Sequence, residues 1–297
     1  MLDLNQLIEQ LLKVRKLPTL SSVALMLESS LNEEQPDVQR ISSIISDDPA
    51  VTSMILKLAN SVVFGARRTI GTVQDAVVRL GFQEIRKMVM SLALIQFLSG
   101  RLSGKIDPVS FWKHSISVGA CTEVINEITG VIPENGPQAH VVGLLHDIGR
   151  WISATYMPEV HQHIPGDSEN PPRPNYILTL ERNRIGLDHT QIGAALLERW
   201  GLPLKIVHCI RFHHEPDVSP RQQRKITQLV HLADCICCNA RIGDVGEGLG
   251  SEIKETAWSC LGLGPELLPE IVETLMERTK HSDVLLSIGG MGNCGQS

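Results

Sequence analysis

Aromatic side chains make up only 4% of the 297-residue chain, so its core has to be built from Leu, Ile, Val, Ala and Met. Bulk positive charge is also missing. The formal net charge is −6 and no block of Lys or Arg is present, which argues against general affinity for nucleic acid or anionic membranes. The N-terminus, Met1-Leu-Asp-Leu-Asn-Gln6, lacks the basic and apolar segments of a secretory signal. The longest apolar stretch, Met88 to Leu98, is too short for a membrane span and is interrupted by Ser91 and Gln96. Seven cysteines at irregular spacing give no disulfide framework. Together these absences predict a cytoplasmic protein in a reducing compartment.

Strand-like alternation is scarce, and helical periodicity takes its place. Leu4, Leu7, Ile8, Leu11 and Leu12 recur at helical spacing before Leu17-Pro18 closes the element. Further helices are predicted over about 21–31 and 36–46, and from Pro49, where Asp47-Asp48 oppose the positive end of the dipole. Thr72 and Asp75 form a capping pair for a short helix ending at Leu80-Gly81. Ile85, Met88, Val89, Leu92 and Ile95 give the next helix an apolar face. A helix, a glycine turn and a second helix can read DNA. With Met90 and Leu94 also apolar, the second helix is instead expected to be buried on most sides, as in an ordinary bundle.

Gly100 to Pro108 reads as a boundary. It divides an N-terminal helical half (1–105) from a second half (106–240), with a C-terminal helical segment and flexible tail over 241–297. In the second half helices are predicted over 109–129, 137–156, 174–184, 189–200, 203–214 and 223–240, with a proline-rich surface loop at 164–175. The predicted fold is all-α, a helical bundle.

The most informative motif is His146-Asp147, in the run Gly143-Leu-Leu-His-Asp-Ile-Gly-Arg150. Adjacent ionisable residues behind an apolar run are costly to bury without partners, and a divalent cation would remove that cost. Five more candidate ligands follow the same logic: His114, His189, His213, His214 and Asp234. Singly, each reads as a packed or helix-capping residue. Asp234 is the exception, since a carboxylate within Leu229-Val-His-Leu-Ala-Asp-Cys-Ile236 calls for a donor or a metal. Jointly, helices offering His and Asp at apolar or terminal positions are what a metal centre inside a bundle requires. Asp147 has two oxygens with which to bridge two ions, which together can activate water and stabilise phosphoryl charge. Arg150 is placed to steady a phosphate. Cys235, Cys237 and Cys238 lack a second cysteine pair for a thiolate zinc site and read as buried small residues. His140, His161, His163, His208 and His231 are assigned to surface or core packing.

These motifs resemble the HD superfamily of metal-dependent phosphohydrolases. Residues 12–215 more specifically resemble the HDOD domain, the HD-related output domain of bacterial signalling proteins. The marks run in order: Leu17-Pro18, Asp48-Pro49-Ala50, Leu56-Lys-Leu-Ala-Asn-Ser61, Ile70 with Ala76, Leu80-Gly81, Trp112-Lys-His-Ser115, the His146-Asp147 run, Gly186-Leu-Asp-His189, Gly193-Ala, Trp200-Gly-Leu-Pro203 and His213-His214. The resemblance implies an HD-like bundle with an N-terminal helical subdomain and a regulatory role exercised through a signalling protein partner. It leaves no room for an attached receiver or cyclase domain, so the chain is expected to stand alone or to be a piece of a larger protein.

Many HDOD domains have lost the HD ligands, whereas this ligand set reads as intact. By position, the related HD-GYP phosphodiesterases imply one metal on His114, His146, Asp147 and Asp234. They imply a second on Asp147, His189, His213 and His214. Iron, manganese or zinc is the expected cofactor, and a phosphoester or cyclic dinucleotide the alternative ligand. Yet no Gly-Tyr-Pro follows His213-His-Glu-Pro-Asp217, Arg150 stands where those enzymes commonly have lysine, and Cys237 where a second aspartate often follows. These departures point away from cyclic di-GMP hydrolysis and leave metal binding in place.

Overall fold

The computed structural model describes residues 22–31, 33, 35–61, 69–99, 106–133, 139–161, 176–242, 253–280 and 286–287. The helix predicted over 4–12, the loop at 164–175 and the tail from 288 lie outside the described residues. Those residues form an all-α protein without a strand. They divide into two compact units, one holding the helices of residues 22–99 and the other those of residues 106–280.

In the first unit, α1 (Ser22–Leu31), α2 (Val38–Ser46) and α3 (Pro49–Ala59) all pack on α4 (Val73–Ser99). Asp37 caps α2 by accepting from the amides of Gln39 and Arg40, and Asp48 caps α3 from Ala50 and Val51. The predicted acidic start before Pro49 is therefore a side-chain cap. Thr72 accepts from the Asp75 amide at 3.0 Å and donates to its carboxylate at 2.7 Å. At Gly81, φ 82° and ψ 161° break α4 into the two predicted pieces, a backbone state open to glycine. Beyond the break, every side chain from Met88 to Ile95 is buried, which leaves this stretch no free face for a DNA groove. Asn60, from the Leu56–Ser61 motif, ties down the chain ahead of α4. Its amide donates to the Ile70 carbonyl at 2.8 Å and its oxygen accepts from the Ile70 amide at 2.7 Å.

The second unit is built around α5 (Pro108–Thr129), which packs against α6 (Ala139–Leu145), α11 (Arg224–Asn239) and α13 (Leu268–Thr279). Asp107 caps its start, accepting from the Ser110 amide at 2.9 Å, and Gly130 ends it at φ 61°. Arg278 of α13 donates to Glu127 of α5 at 2.8 Å. A second layer holds α7 (Ile148–Tyr156), α9 (His189–Arg199) and α10 (Leu204–Phe212), with α9 packed on both α7 and α10. The remaining helices are α8 (Tyr176–Ile185) and α12 (Glu255–Leu261), the latter packed on α11.

Two close crossings bring these helices together. A Cβ at Gly143 would lie 2.8 Å from Gly119 Cα, and one at Gly149 would lie 1.9 Å from the His189 carbonyl oxygen. Any larger residue would force apart α5 from α6, or α7 from α9. Three of the eleven aromatics, Phe111, Trp112 and Trp151, meet with ring centroids 5.0 to 6.3 Å apart.

One predicted helix does not form as a single piece. The span 137–156 is split into α6 and α7 by a turn at His146-Asp147. A continuous helix would fan adjacent side chains about 100° apart. The turn instead lets His146 face His114 and Asp234 while Asp147 faces His146, Arg150, His189 and His213. Asp147 occupies the N-cap of α7 yet makes no capping bond, because its carboxylate faces imidazoles and Arg150.

Candidate metal centre

The predicted site residues converge on Asp147. Its Oδ2 lies 3.6 Å from His146 Nε2 and 3.4 Å from Arg150 Nη1. Its Oδ1 lies 3.4 Å from His189 Nε2 and 3.6 Å from His213 Nε2. The two oxygens of one carboxylate thus address two sets of donors. In the first set, Asp234 Oδ1 stands 3.3 Å from His114 Nε2 and 3.6 Å from His146 Nε2, and the two imidazole nitrogens are 3.3 Å apart. In the second, His214 Nε2 and His189 Nε2 face each other at 3.0 Å. The donor atoms of Asp147, His189, His213 and His214 all lie within 4.8 Å of one another, as do those of His114, His146 and Asp147.

Each element delivers its ligand for a local reason. His146 follows the end of α6, His213 caps α10 just past Phe212, and His189 opens α9 behind the Asp188 cap. Asp188 is fixed in turn, since it accepts from Arg182 Nε at 2.6 Å and shares a capping box with Gln191. Three rings are oriented from behind. His146 Nδ1 donates to the Gly143 carbonyl at 2.8 Å and His213 Nδ1 to the Ile210 carbonyl at 2.7 Å. His189 Nδ1 donates to Glu181 Oε2 at 2.7 Å. Carbonyl and carboxylate oxygens only accept, so each Nδ1 carries a proton and Nε2 is the nitrogen turned towards Asp147, the one a metal would take in exchange for any proton there.

The candidate ligands are almost wholly withdrawn from water. His114, His146, Asp147, His189, His213 and Asp234 are buried, and His214 is partly so. Burial pushes the Asp147 carboxyl up, but His146, His213, His189 and Arg150 outweigh it and hold the group well below the usual range. Asp234 behaves in the same way against His114 and His146. Burial lowers the His189 imidazole, yet Glu181 first and Asp147 next raise it to about 9. His214 goes the other way, well below its ordinary value, through burial and the neighbouring charges of His213 and His189.

These residues fit a divalent cation. His213 Nε2 and His214 Nδ1 are buried without a hydrogen-bond partner among the described residues. The facing Nε2 atoms of His189 and His214 can share at most one proton. A buried unsatisfied polar group costs about 1–3 kcal/mol, and a metal accepting from several such nitrogens removes that cost.

Three residues near the centre were not foreseen. Glu181, fully buried on α8, accepts from both the ring and the backbone amide of His189. His231 on α11 donates from Nδ1 to the His213 carbonyl at 2.8 Å, so its predicted role as mere packing gives way to support of a ligand. Cys238 corrects the reading of the cysteines. Cys235 and Cys237 are buried, but the half-buried Cys238 thiol donates to Asp234 Oδ1 at 3.4 Å and lies with His114 and Asp234 in a further group of candidate ligands. The four-residue step from Asp234 to Cys238 on one helix was the available signal. Arg150 sits buried beside Asp147.

Comparison with known proteins agrees with this architecture. The chain belongs to the HDOD domain family, whose model matches residues 17–216. It is therefore related to the HD superfamily. An HDOD domain protein of unknown function from Geobacter sulfurreducens has a TM-score of 0.77 at 23% identity, over 95% of this chain and 99% of its own. A candidate signal transduction protein from Marinobacter aquaeolei VT8 gives 0.73 at 21% identity, over 97% of this chain and 64% of its own. A candidate phosphohydrolase from Shewanella amazonensis SB2B gives 0.65 at 22%, over 97% of each chain. At these identities the likeness is one of fold. An uncharacterized protein of Treponema pallidum (strain Nichols) is 27% identical over 231 residues, 75% of this chain but 42% of that protein, so the chain spans less than half of its relative's length.

Proposed function

We propose that this protein is a bacterial signalling regulator. In this reading residues 106–240 hold one or two divalent ions, and the protein acts through contact with a partner protein. The segment 1–105 is the N-terminal half of the HDOD domain, and 241–297 a C-terminal helical addition. The first position takes His114, His146, Asp147 and Asp234; the second takes Asp147, His189, His213 and His214. Iron, manganese or zinc suits this mixture of imidazole and carboxylate. The observation that carries the reading is the burial of so many facing donors, with three rings oriented so that Nε2 faces the candidate metal position. A centre this enclosed is better suited to holding a conformation than to turning over a large substrate. The description of the Marinobacter structure as a candidate signal transduction protein is in line with this. A cytoplasmic setting accords with cysteines outside any disulfide at Cys121, Cys209, Cys237, Cys238 and Cys260, and no helix of the described residues is long and apolar enough to cross a membrane.

The test is hydrogen exchange of metal-loaded and metal-free protein, alongside metal analysis. The reading predicts bound metal and protection of α6, α7 and α9 on loading. Metal-free protein with no response to added ions would overturn it.

A second reading has one observation in its favour. Arg150 places a buried guanidinium 3.4 Å from Asp147, where a phosphate oxygen could be held. The protein would then be a phosphohydrolase or phosphodiesterase acting on a nucleotide or cyclic dinucleotide. When bound, the metal would supply Lewis-acid stabilisation of phosphoryl charge. Asp147 would orient water and Arg150 would hold the phosphate. Absence of turnover across a phosphoester panel with Fe²⁺, Mn²⁺, Mg²⁺ and Zn²⁺, in protein of proven metal content, would exclude it.

A further inference from the structure

Glu181 lies outside the motifs quoted from the sequence, and its surroundings are unusual for a carboxylate. It is completely buried, in a helix whose last turn is basic and partly exposed. Its Oε2 accepts twice from a single residue, from the His189 backbone amide at 2.8 Å and from His189 Nδ1 at 2.7 Å. Its Oε1 accepts from Ser153 Oγ at 3.2 Å, and Ser153 sits on α7, the helix that Asp147 opens. Ser153 also donates to the Arg150 carbonyl at 3.0 Å. One side chain on α8 therefore clasps the start of α9 and the middle of α7.

His189 is the first residue of α9, so its amide is one of the donors that a helix leaves unpaired. Glu181 satisfies that donor and fixes the ring of the same residue. Backbone and imidazole are locked together, and Nε2 is aimed at Asp147 Oδ1, 3.4 Å away. No other described ligand is held at both ends by one acidic group. His146 and His213 lean on backbone carbonyls of their own helices, which any sequence would offer there.

We propose that Glu181 is the positioning residue of the second metal position, setting how tightly Asp147, His189, His213 and His214 bind an ion. The proposal rests on the metal-binding reading above and deepens it. A carboxylate behind a ligating imidazole fixes ring orientation and tautomer and increases ligand basicity, and its loss typically costs about 10- to 100-fold in metal affinity. The first position has no contact with Glu181 through these bonds. Its retention serves as an internal check of folding.

The experiment titrates the full chain with Co²⁺, following the visible absorption bands, and counts bound ions by elemental analysis. Glu181→Leu, close to isosteric and apolar, is expected to weaken the second binding step about 10- to 100-fold while leaving the first step and its bands unchanged. Glu181→Gln keeps an oxygen to accept from His189 and is expected to recover most of the second step. Asp234→Ala is expected to give the mirror image, with the first step lost and the second retained. Equal affinities and spectra in wild type and Glu181→Leu would overturn the proposal. So would loss of both steps together in Glu181→Leu and Glu181→Gln, because Glu181 would then serve the fold and not one position. Wild-type protein that binds no Co²⁺ would defeat the metal reading itself, an outcome separate from failure of Glu181 alone.

Discussion

Asp147 carries more of the site than any other side chain, because its two oxygens serve different partners: His146 and Arg150 on one side, His189 and His213 on the other. Asp234 serves only the first set. The two carboxylates are therefore predicted to differ on removal. Asp234→Ala is expected to lower the metal count by one, whereas Asp147→Ala abolishes it, as elemental analysis would show. At this scale the candidate ligands were legible because charge in an apolar context is expensive, and His146-Asp147 and Asp234 stand in such contexts. Glu181 was not legible. In Tyr176-Ile-Leu-Thr-Leu-Glu-Arg-Asn-Arg184 it reads as one more polar residue of a surface helix, and its burial depends on contacts with Ser153 and His189, made by other helices.

Helices in this protein are specified mainly by their ends, and most ends were visible in the sequence. Asp48 and Thr72 cap as the sequence suggests, and Asp188 caps α9. Asp107 does the same for α5, the helix bearing His114. Partial burial pushes its carboxyl up, but hydrogen bonds from Ser110 and the Val109 amide, with Lys113 nearby, hold it below its ordinary value of 3.8. A depressed carboxyl contributes stability above its unfolded pKa, and that contribution disappears as pH falls through the lower folded value. Asp107→Ala is expected to cost about 1 kcal/mol at neutral pH in denaturant unfolding, with the difference from wild type shrinking below about pH 4.

The turn at His146-Asp147 was not visible, because Ala139 to Tyr156 keeps a helical apolar pattern throughout. What breaks it is tertiary: both side chains are needed at one place. The close crossing at Gly149 belongs to this scale too. Gly149→Ala puts a methyl group against the His189 carbonyl and the Gly193 amide. It is expected to destabilise by about 1–3 kcal/mol, as overpacking does, and to weaken the second metal position by moving α9. Unchanged stability and metal affinity in this variant would contradict the packing described.

For the whole molecule, the all-α class followed from helical periodicity, and the family from ordered motifs. The paths by which α5, α6, α9, α10 and α11 bring distant residues to one point are set by packing, which no local pattern encodes. Because the ligands come from so many helices, a metal bound to the folded state stabilises all of them at once. At free metal about 100-fold above Kd, the gain is about 2.7 kcal/mol, or roughly 5–10 °C in Tm for a unit of this size. Calorimetry with and without a chelator is expected to show a drop of that order. An unchanged Tm would mean that the donors do not hold a metal in the folded state.

The central claim is most directly tested by the metal content of purified wild-type and Asp147→Ala protein, measured by elemental mass spectrometry. Near-stoichiometric iron, manganese or zinc in the wild type, lost in the variant, is the predicted result. No metal in either protein, or equal metal in both, would contradict it.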